Sequence, residues 1–367
     1  MKILIATNHS YMFYRFRREL VEALLQAGHQ VVLSTPFVGH QEDLQAMGLQ
    51  CIETPLDRRS INPGKDMKLL RTYRTLLRQV EPELVITYSI KPNVYLGLCC
   101  ARAGIPYVAN VQGLGTAFER PVLSAVASVL YRTALRRART VFFENRENRQ
   151  LFLEKKLVRP EQTRVLPGAG INLSAYPFVP PRDDGVCRFL YLGRIMREKG
   201  MDEFFAAARA LKAERGEGVA FDLVGFYEDG YKETVEQLAA EGVITFHGFQ
   251  SEVHPYYAAA DCVVLPSYHE GLSNVLLEGA ATGRCLITSD IPGCREVVED
   301  GVSGFLCPAQ DTQALLEAMR RFVAEPFARQ AERGQAGRRL VEQRFDKRLV
   351  VAETLAGLGL PEGAACT

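Results

Sequence analysis

Two glutamates, Glu270 and Glu278, stand with seven residues between them after an apolar segment in the second half of the sequence. That segment, 262–265, reads as a buried strand, and the stretch that holds the acids becomes helical in its second half. Residues 271–274 would then offer free backbone N–H groups at a helix N-terminus, where the helix dipole favours phosphate. We therefore expect the two acids to flank a phosphate and to accept hydrogen bonds from neutral hydroxyl groups beside it.

Two cations follow another apolar segment, 189–192. Arg194 and Lys199 form the pattern Gly-Arg-x-x-x-x-Lys with Gly193. Cations suit a diphosphate, because its two negative groups need compensation once water is excluded and because a departing diphosphate gains charge. Taken alone, these side chains also read as solvated loop charges; the acidic pair downstream favours the binding interpretation. Since the cations replace a metal here, we expect no metal ion and no other cofactor.

Apolar segments that read as strands alternate with helical segments in both halves of the chain. This alternation predicts an α/β fold of two Rossmann-like, doubly wound domains, each with a parallel sheet covered on both faces. The expected strands are 1–6, 30–33, 84–87, 107–109, 140–143, 189–192, 221–224, 244–246, 262–265 and 285–288. Open α/β sheets bind ligands at the carboxyl ends of their strands, so we expect the candidate residues to face a cleft between the domains.

Length and charge agree with two domains and an anionic partner. The chain has 367 residues, of which 47% are hydrophobic and 24% charged, as in ordinary globular proteins. Nine cysteines are scattered without CxxC spacing, which argues against a zinc site. The net charge of +1 hides an asymmetry: 24 Lys+Arg against 14 Asp+Glu up to residue 178, or +10, and 20 against 29 after it, or −9. The basic half suggests nucleic acid, a membrane surface or a phosphorylated substrate.

Taken together, these motifs resemble the family-4 retaining glycosyltransferases of the GT-B fold, over nearly the whole chain. The resemblance implies an N-terminal acceptor domain, 1–178, a C-terminal nucleotide-sugar domain, 179–345, and a last segment, 346–367, whose helix crosses back to the first domain; ending the second domain is the alternative. It implies that Glu270 contacts the donor sugar, Glu278 the ribose and the turn 248–249 the base. It also implies that the catalytic residues are Glu270, Arg194, Lys199 and His9. The donor would bind at Gly193, Gly248, Phe249, Gly271, Leu272, Ser273, Asn274, Val275 and Glu278.

The first half resembles a narrower branch, bacterial enzymes that add hexoses or N-acetylhexosamines to polyprenyl-diphosphate-linked glycans. The motifs that carry this likeness are 8–10, 14–17, 89–93 and 111–116. It implies a UDP-sugar donor, GalNAc or Gal, and acceptor contacts at Asn8, Ser10, Lys91, Asn93, Gln112, Gly113, Gly115 and Thr116. Many family members have a glycine-rich loop after the first strand, where this chain has Asn8-His9-Ser10. The contribution of this domain to the donor diphosphate is therefore open, and His9 could contact either sugar.

Two helical segments of the first half, 63–80 and 121–139, combine an apolar stripe with basic residues. They could lie on an anionic membrane or simply pack on a sheet. No stretch reaches the length of apolar residues needed to span a bilayer. We expect a cytoplasmic protein at the inner face of the bacterial plasma membrane, with no nucleic-acid partner. The alternatives are a nucleotide-sugar epimerase of the same fold, or a non-catalytic protein that binds nucleotide sugars or nucleic acid.

Overall fold

The structure is a computed structural model that describes residues 1–57, 62–113, 121–228 and 230–360. The chain folds as two compact units. The N-terminal unit comprises residues 1–169 and the segment from Lys347 onward, and the C-terminal unit comprises Gly170–Asp346. Each unit has its own parallel sheet and its own buried apolar core. The predicted fold of two Rossmann-like, doubly wound domains is confirmed.

The sheet of the N-terminal unit contains seven strands within the described residues. They are β1 (Lys2–Ala6), β2 (Gln30–Thr35), β3 (Gln50–Glu53), β4 (Leu84–Tyr88), β5 (Tyr107–Val111), β6 (Thr140–Phe143) and β7 (Thr163–Val165). The helices between them are α1 (Ser10–Gln26), α2 (Gln41–Ala46), α3 (Pro63–Val80), α4 (Gly97–Ala103), α5 (Pro121–Leu135) and α6 (Arg146–Glu154). The strand order is β3-β2-β1-β4-β5-β6-β7. Central strands such as β4 are buried on both faces, which explains their unbroken apolar sequence.

The C-terminal unit repeats this plan with six strands in its described part. They are β8 (Cys187–Leu192), β9 (Val219–Val224), β10 (Thr245–Gly248), β11 (Cys262–Leu265), β12 (Cys285–Ser289) and β13 (Gly304–Cys307). The helices are α7 (Met201–Arg215), α8 (Lys232–Ala240), α9 (His254–Ala259), α10 (Asn274–Thr282), α11 (Thr312–Ala324) and α12 (Phe327–Arg344), and α13 (Lys347–Leu358) then joins the N-terminal unit. The strand order is β10-β9-β8-β11-β12-β13.

In each sheet, the order in which the chain adds strands reverses at one central strand. β1 lies between β2 and β4, and β8 lies between β9 and β11, so the chain winds outward in both directions from each. The loops that follow these neighbouring strands diverge there and leave a crevice at the carboxyl edge of the sheet. The predicted site residues follow strands at this edge in both units.

The structure divides the chain at residues 169 and 346, which differs from the predicted boundary at 178. Residues 170–178 belong to the C-terminal unit. The backbone N–H of Ile171 donates to Phe345 O at 2.7 Å, and Ile171 is buried in that unit's core. These contacts attach the segment to the residue that follows α12 and to the core of the C-terminal unit.

Helix α13 packs on the N-terminal unit. Its Lys347 Nζ donates to Phe16 O at 3.1 Å, and Leu355 and Leu358 lie in that unit's core. At the other end of α13, Thr140 Oγ1 donates to Gly357 O at 2.7 Å. Of the two alternatives for the last helix, the structure has the one in which it returns to the first unit.

The two basic helical segments are also present. Asn62 caps α3 by accepting from Gly64 N at 2.9 Å, and Pro63 takes the first helical position, where its missing N–H is not needed. Helix α5 ends at Leu135, four residues before the predicted end. Among the described helices, none combines the length and the apolar character required to cross a membrane.

Candidate active site

The loops after β8 and β11 bring a lysine and a glutamate together. β8 and β11 are neighbours in the sheet, so residues far apart in sequence meet at its edge. Lys199 Nζ donates to Glu270 Oε1 at 2.5 Å, and Ser267 Oγ donates to the same oxygen at 2.8 Å. The side chains of Lys199 and Glu270 are 18% and 14% exposed. The carboxylate is therefore held through Oε1, and Oε2 takes part in neither bond.

Close packing of the two loops holds this pair in place. Gly200 has a φ of +70°, and a Cβ there would lie 2.0 Å from Pro266 O. The backbone N–H of Tyr268 donates to Glu198 O at 2.9 Å. A residue with a side chain would push the loops apart at position 200, so only glycine permits this approach.

A second contact between the same loops involves a buried acid that the sequence interpretation missed. Tyr268 Oη donates to both carboxylate oxygens of Glu203 at 2.9 Å, and Glu203, in the first turn of α7, is 9% exposed. Burial and the hydrogen bond to Glu203 raise the pKa of Tyr268 to about 12. Tyr268 is two residues before Glu270, so this bond helps to position the carboxylate.

Arg194 lies at the same edge but has a different partner. Its Nη1 is 3.2 Å from Glu228 Oε2, and its side chain is 44% exposed. Within the described contacts, Arg194 forms no bond with the Lys199–Glu270 pair. Beside it, a Cβ on Gly225 would lie 1.8 Å from Gly193 O, so the strand ends of β8 and β9 approach through glycine. Glu228 and Gly225 were not among the predicted residues.

The loop between Glu270 and α10 is partly used by the fold itself. Ser273 caps α10 by accepting from Leu276 N at 3.3 Å, and its own backbone N–H donates to Gly293 O at 2.9 Å. The expectation of free N–H groups across 271–274 is therefore wrong at Ser273, because Gly293 packs so closely that a Cβ there would lie 2.4 Å from Gly271 O. Leu272 is buried in the core, and Asn274 and Val275 form the start of α10.

Glu278, the second predicted acid, is 5% exposed on α10. Its Oε2 accepts from Tyr257 Oη at 2.9 Å, and Tyr257, on α9, is fully buried. The hydrogen bond joins α9 to α10 and satisfies one oxygen of a buried carboxylate. The ribose contact of Glu278 stays a prediction.

Two exposed phenylalanines lie at the ends of β9 and β10. Phe249, in the turn predicted to contact a base, is 57% exposed, and Phe226 is 45% exposed. Their ring centroids are 6.1 Å apart with an edge-to-face geometry. Gly248 precedes Phe249 with a φ of +67°. Phe226 was missed, although it follows a predicted strand, the signal used for the other candidates. The pair offers an aromatic surface suited to a flat ring.

In the N-terminal unit, most of the described acceptor candidates line one cavity of about 220 Å³, here called the acceptor cavity. Its walls include Asn8, Ser89, Lys91, Asn93, Gln112 and Gly113. Ser89 Oγ donates to Asn8 Oδ1 at 2.8 Å. Ser89 has a φ of +73°, a conformation that costs a non-glycine residue roughly 1–3 kcal/mol and that is frequent at functional sites.

Two residues of this cavity are held by other parts of the fold. Asn93 is 1% exposed; its Oδ1 accepts from Thr87 Oγ1 at 2.7 Å and its Nδ2 donates to Asn110 O at 2.8 Å. Lys91 Nζ donates to Asp66 Oδ1 at 2.9 Å. Asn93 is thus fixed by buried hydrogen bonds to two strands, whereas Lys91 is paired with an acid on α3.

Helix α1 begins at Ser10, within the polar residues Asn8-His9-Ser10 that follow β1. His9 is its N-cap residue in an extended conformation and lies edge-on to Tyr11 at 6.3 Å. The Ser10 hydroxyl donates to Gly39 O at 3.0 Å and accepts from Val38 N at 2.8 Å, which ties the loop after β2 to α1. Gly115 and Thr116 lie outside the described residues.

The part of the chain that the structure describes contains no candidate metal site, because no group of three or more His, Cys, Asp or Glu side chains there could hold an ion. The charged groups at the edge of the C-terminal sheet include Lys199, Arg194, Glu270 and Glu228. Metal-independent action of this site stays a prediction.

Two doubly wound units, one with a lysine–carboxylate pair at the edge of its sheet, define a protein of the GT-B class. Comparison with protein families agrees: residues 187–325 match the family described as glycosyl transferases group 1, and residues 15–169 match the glycosyl transferase 4-like domain. The chain therefore carries a glycosyl transferase 4-like domain followed by a group 1 glycosyl transferase domain, in agreement with the predicted resemblance to glycosyltransferases of the GT-B fold.

Several relatives match most of the chain. It is 24% identical over 335 residues to N,N'-diacetylbacillosaminyl-diphospho-undecaprenol alpha-1,3-N-acetylgalactosaminyltransferase of Campylobacter jejuni, which covers 86% of this chain and 88% of the relative. It is 27% identical over 281 residues to UDP-Gal:alpha-D-GlcNAc-diphosphoundecaprenol alpha-1,3-galactosyltransferase of Escherichia coli, with 72% of each covered. The crystal structure of Anabaena Alr3699/HepE in complex with UDP and glucose superposes with a TM-score of 0.78 at 19% identity, over 97% of this chain and 99% of the other, which establishes the shared fold.

Proposed function

We propose that this protein is a retaining glycosyltransferase that moves a hexose or N-acetylhexosamine, GalNAc or Gal, from a UDP-sugar to a polyprenyl-diphosphate-linked glycan in the assembly of surface polysaccharide or glycoprotein. The observation that carries the proposal is the meeting of Lys199, Glu270 and Ser267 at the carboxyl edge of the C-terminal sheet. The relatives from Campylobacter jejuni and Escherichia coli, whose names specify diphosphoundecaprenol acceptors, support the choice of acceptor.

In this proposal, Lys199 and Arg194 bind the donor diphosphate as compensating cations. Glu270 orients the donor sugar through Oε2 and stabilises the positive charge that develops at the anomeric carbon. The acceptor hydroxyl oxygen forms a bond to that carbon on the face from which UDP departs. The bond between the carbon and the phosphate oxygen breaks, and the hydroxyl proton passes to the departing phosphate. No metal takes part, so chelators leave the rate unchanged.

The aromatic pair Phe226 and Phe249 supports a nucleotide at the neighbouring strand ends, with its base against the rings. Glu278 then takes the ribose hydroxyls, and the first N–H groups of α10 face the phosphates. The acceptor sugar occupies the acceptor cavity, where Asn8, Ser89 and Gln112 supply neutral hydrogen-bonding groups. His9 contacts the reacting sugars from the start of α1.

We assign a membrane contact to α5. Val126 and Val129 are 55% and 61% exposed on this helix, and Arg132 and Arg136 are exposed near its end. Exposed apolar side chains beside cations suit the surface of an anionic leaflet, where each cation adds about 1 kcal/mol. The protein would thus work at the inner face of the bacterial plasma membrane. Co-sedimentation with vesicles that contain anionic lipid, compared with neutral vesicles, tests this contact.

The central experiment is incubation of the protein with UDP-GalNAc or UDP-Gal and a short-chain polyprenyl-diphosphate glycan. Transfer with an α-linkage, read by NMR of the product, supports a retaining transferase, and a β-linkage contradicts retention. Isomerised UDP-sugar formed without acceptor identifies an epimerase instead. A nucleotide sugar that binds the native state raises the melting temperature of an enzyme and of a binding protein alike. A raised melting temperature without transfer or isomerisation therefore identifies a binding protein.

A further inference from the structure

A second, larger cavity of about 540 Å³ adjoins the acceptor cavity in the N-terminal unit. Its lining includes Lys65 and Lys68 of α3, together with Lys91; we call it the lysine cavity. Leu56 and Lys91 line both cavities, so the two are adjacent. A volume in this range is typical of ligand sites, which span about 300–1,000 Å³, whereas the acceptor cavity alone is smaller.

Positive charge is available in the lysine cavity. Lys68 is exposed on α3 and forms no ion pair with any described residue. Lys65 Nζ lies 2.8 Å from Asp57 Oδ2, but these side chains are 58% and 45% exposed, and such surface pairs contribute little. The other acid of the lining, Glu53, accepts a hydrogen bond from Phe37 N at 3.1 Å and keeps its negative charge, so the lining holds the three lysines Lys65, Lys68 and Lys91 against the two acids Asp57 and Glu53. An anion that enters the cavity therefore meets one unpaired lysine and one weakly paired lysine.

The two cavities are lined by different kinds of polar group. The acceptor cavity offers the neutral groups of Asn8, Ser89 and Gln112, which suit sugar hydroxyl groups. The lysine cavity offers ammonium groups, which bind phosphate as point charges without a fixed geometry. Lys91 stands at the junction, paired with Asp66 and 14% exposed. This order of groups matches a molecule in which a neutral sugar is joined to an anionic diphosphate.

We propose that the lysine cavity binds the diphosphate of the acceptor while the sugar to be extended occupies the acceptor cavity. This inference rests on the proposed transferase function. Lys65 and Lys68 then recognise the lipid-linked form of the glycan, and α3 marks the side on which the lipid leaves the protein.

The test compares two acceptors with the same glycan, one on a short-chain polyprenyl diphosphate and one on a neutral alkyl group, both soluble without membranes. In the double variant Lys65→Ala, Lys68→Ala, the KM for the diphosphate acceptor rises about tenfold or more, because charge-assisted contacts are lost. The KM for the neutral acceptor, the KM for the UDP-sugar and kcat stay unchanged. The matched control is Arg78→Ala, which removes a cation from the same helix about 15 Å along it from Lys68 and lines neither cavity.

An unchanged KM for the diphosphate acceptor in the double variant overturns the inference. So does a loss that appears only on anionic vesicles, because the lysines then bind lipid headgroups. If the wild-type protein transfers sugar to neither acceptor, the proposed function fails separately. Calorimetric titration with short-chain polyprenyl diphosphate then decides: binding that the double variant loses supports the cavity assignment, and equal binding or none refutes it.

Discussion

The carboxyl edges of the two sheets are built from the same topology but from different chemistry. In the C-terminal unit, Lys199 and Glu270 form a direct ion pair, 18% and 14% exposed. In the N-terminal unit, the edge offers amide and hydroxyl groups around a cavity, and its cations lie to one side. This difference agrees with the proposed function, in which the C-terminal unit binds a donor with a charged leaving group and the N-terminal unit binds an acceptor with a neutral hydroxyl nucleophile.

The two edges also differ in how tightly they are assembled. Glycines 200, 225 and 293 bring backbones so close at the C-terminal edge that any Cβ would overlap a carbonyl oxygen. The N-terminal edge relies on side-chain bonds, such as Ser89 to Asn8 and Ser10 to Val38, and on one strained serine. We therefore expect substitutions at the C-terminal edge to affect stability and turnover strongly, and those at the N-terminal edge to alter acceptor binding.

The largest effect is expected for Glu270→Ala. Loss of the carboxylate removes charge stabilisation at the transition state, so kcat falls about 100- to 1,000-fold, while UDP still raises the melting temperature. Steady-state kinetics and a thermal-shift titration measure the two effects. Glu233→Ala, an exposed glutamate on α8, is the control. Near-normal turnover in the Glu270 variant would exclude this residue from the mechanism and remove the contrast between the two edges.

The next effect concerns Gly200→Ala, which tests close packing. The added Cβ meets Pro266 O in a left-handed conformation, so the free energy of unfolding falls by about 2–4 kcal/mol, and turnover falls with it. Gly242→Ala is a close control, because Gly242 has the same φ of +70° but no atom within 4 Å of its Cβ. Chemical denaturation compares the two. Equal losses in both variants would attribute the whole effect to backbone strain rather than to contact between loops.

A smaller effect is expected for Tyr268→Phe. The variant leaves buried Glu203 without its hydroxyl donor, which costs about 1–3 kcal/mol, and kcat falls more than the donor KM changes because Glu270 is less well positioned. The pKa of Tyr268 is raised from 10 to about 12, so its contribution to stability is complete below pH 10 and declines as the pH rises toward 12. The stability difference between wild type and Tyr268→Phe should therefore shrink over this range. A difference that stays constant from pH 9 to pH 12 would contradict it.

The smallest effect is expected for Phe226→Ala. Loss of one aromatic face weakens UDP binding about tenfold, within the range for base stacking, and leaves the acceptor KM unchanged. Calorimetric titration with UDP measures the change. Val302→Ala, another exposed apolar residue of the same unit, serves as the comparison. Unaltered UDP affinity would place the base elsewhere at this edge.

The alternation of strands and helices could be predicted because it depends on local apolar runs. Each of the ten expected strands is present, and the three that were missed, β3, β7 and β13, are short. All three lie at the edge of a sheet, and β3 is partly exposed, so its sequence mixes polar and apolar residues. The division between the units falls at residue 169, nine residues before the expected 178, since the contact of Ile171 with Phe345 is invisible to local composition.

The motif of cations and acids was likewise readable from residue types and spacing, and so was the class of protein. The contacts between these groups could not be predicted, because the partners follow other strands of the sheet. Ser267 and Lys199 share one oxygen of Glu270 although Lys199 is 71 residues away, and Glu203 reaches Tyr268 across 65 residues. Spacing predicted that Glu278 and Glu270 flank a phosphate, but the packing of α9 on α10 gives Glu278 a buried tyrosine partner. Local sequence specifies the elements and their chemistry, whereas hydrogen-bond partners depend on the order in which the strands assemble.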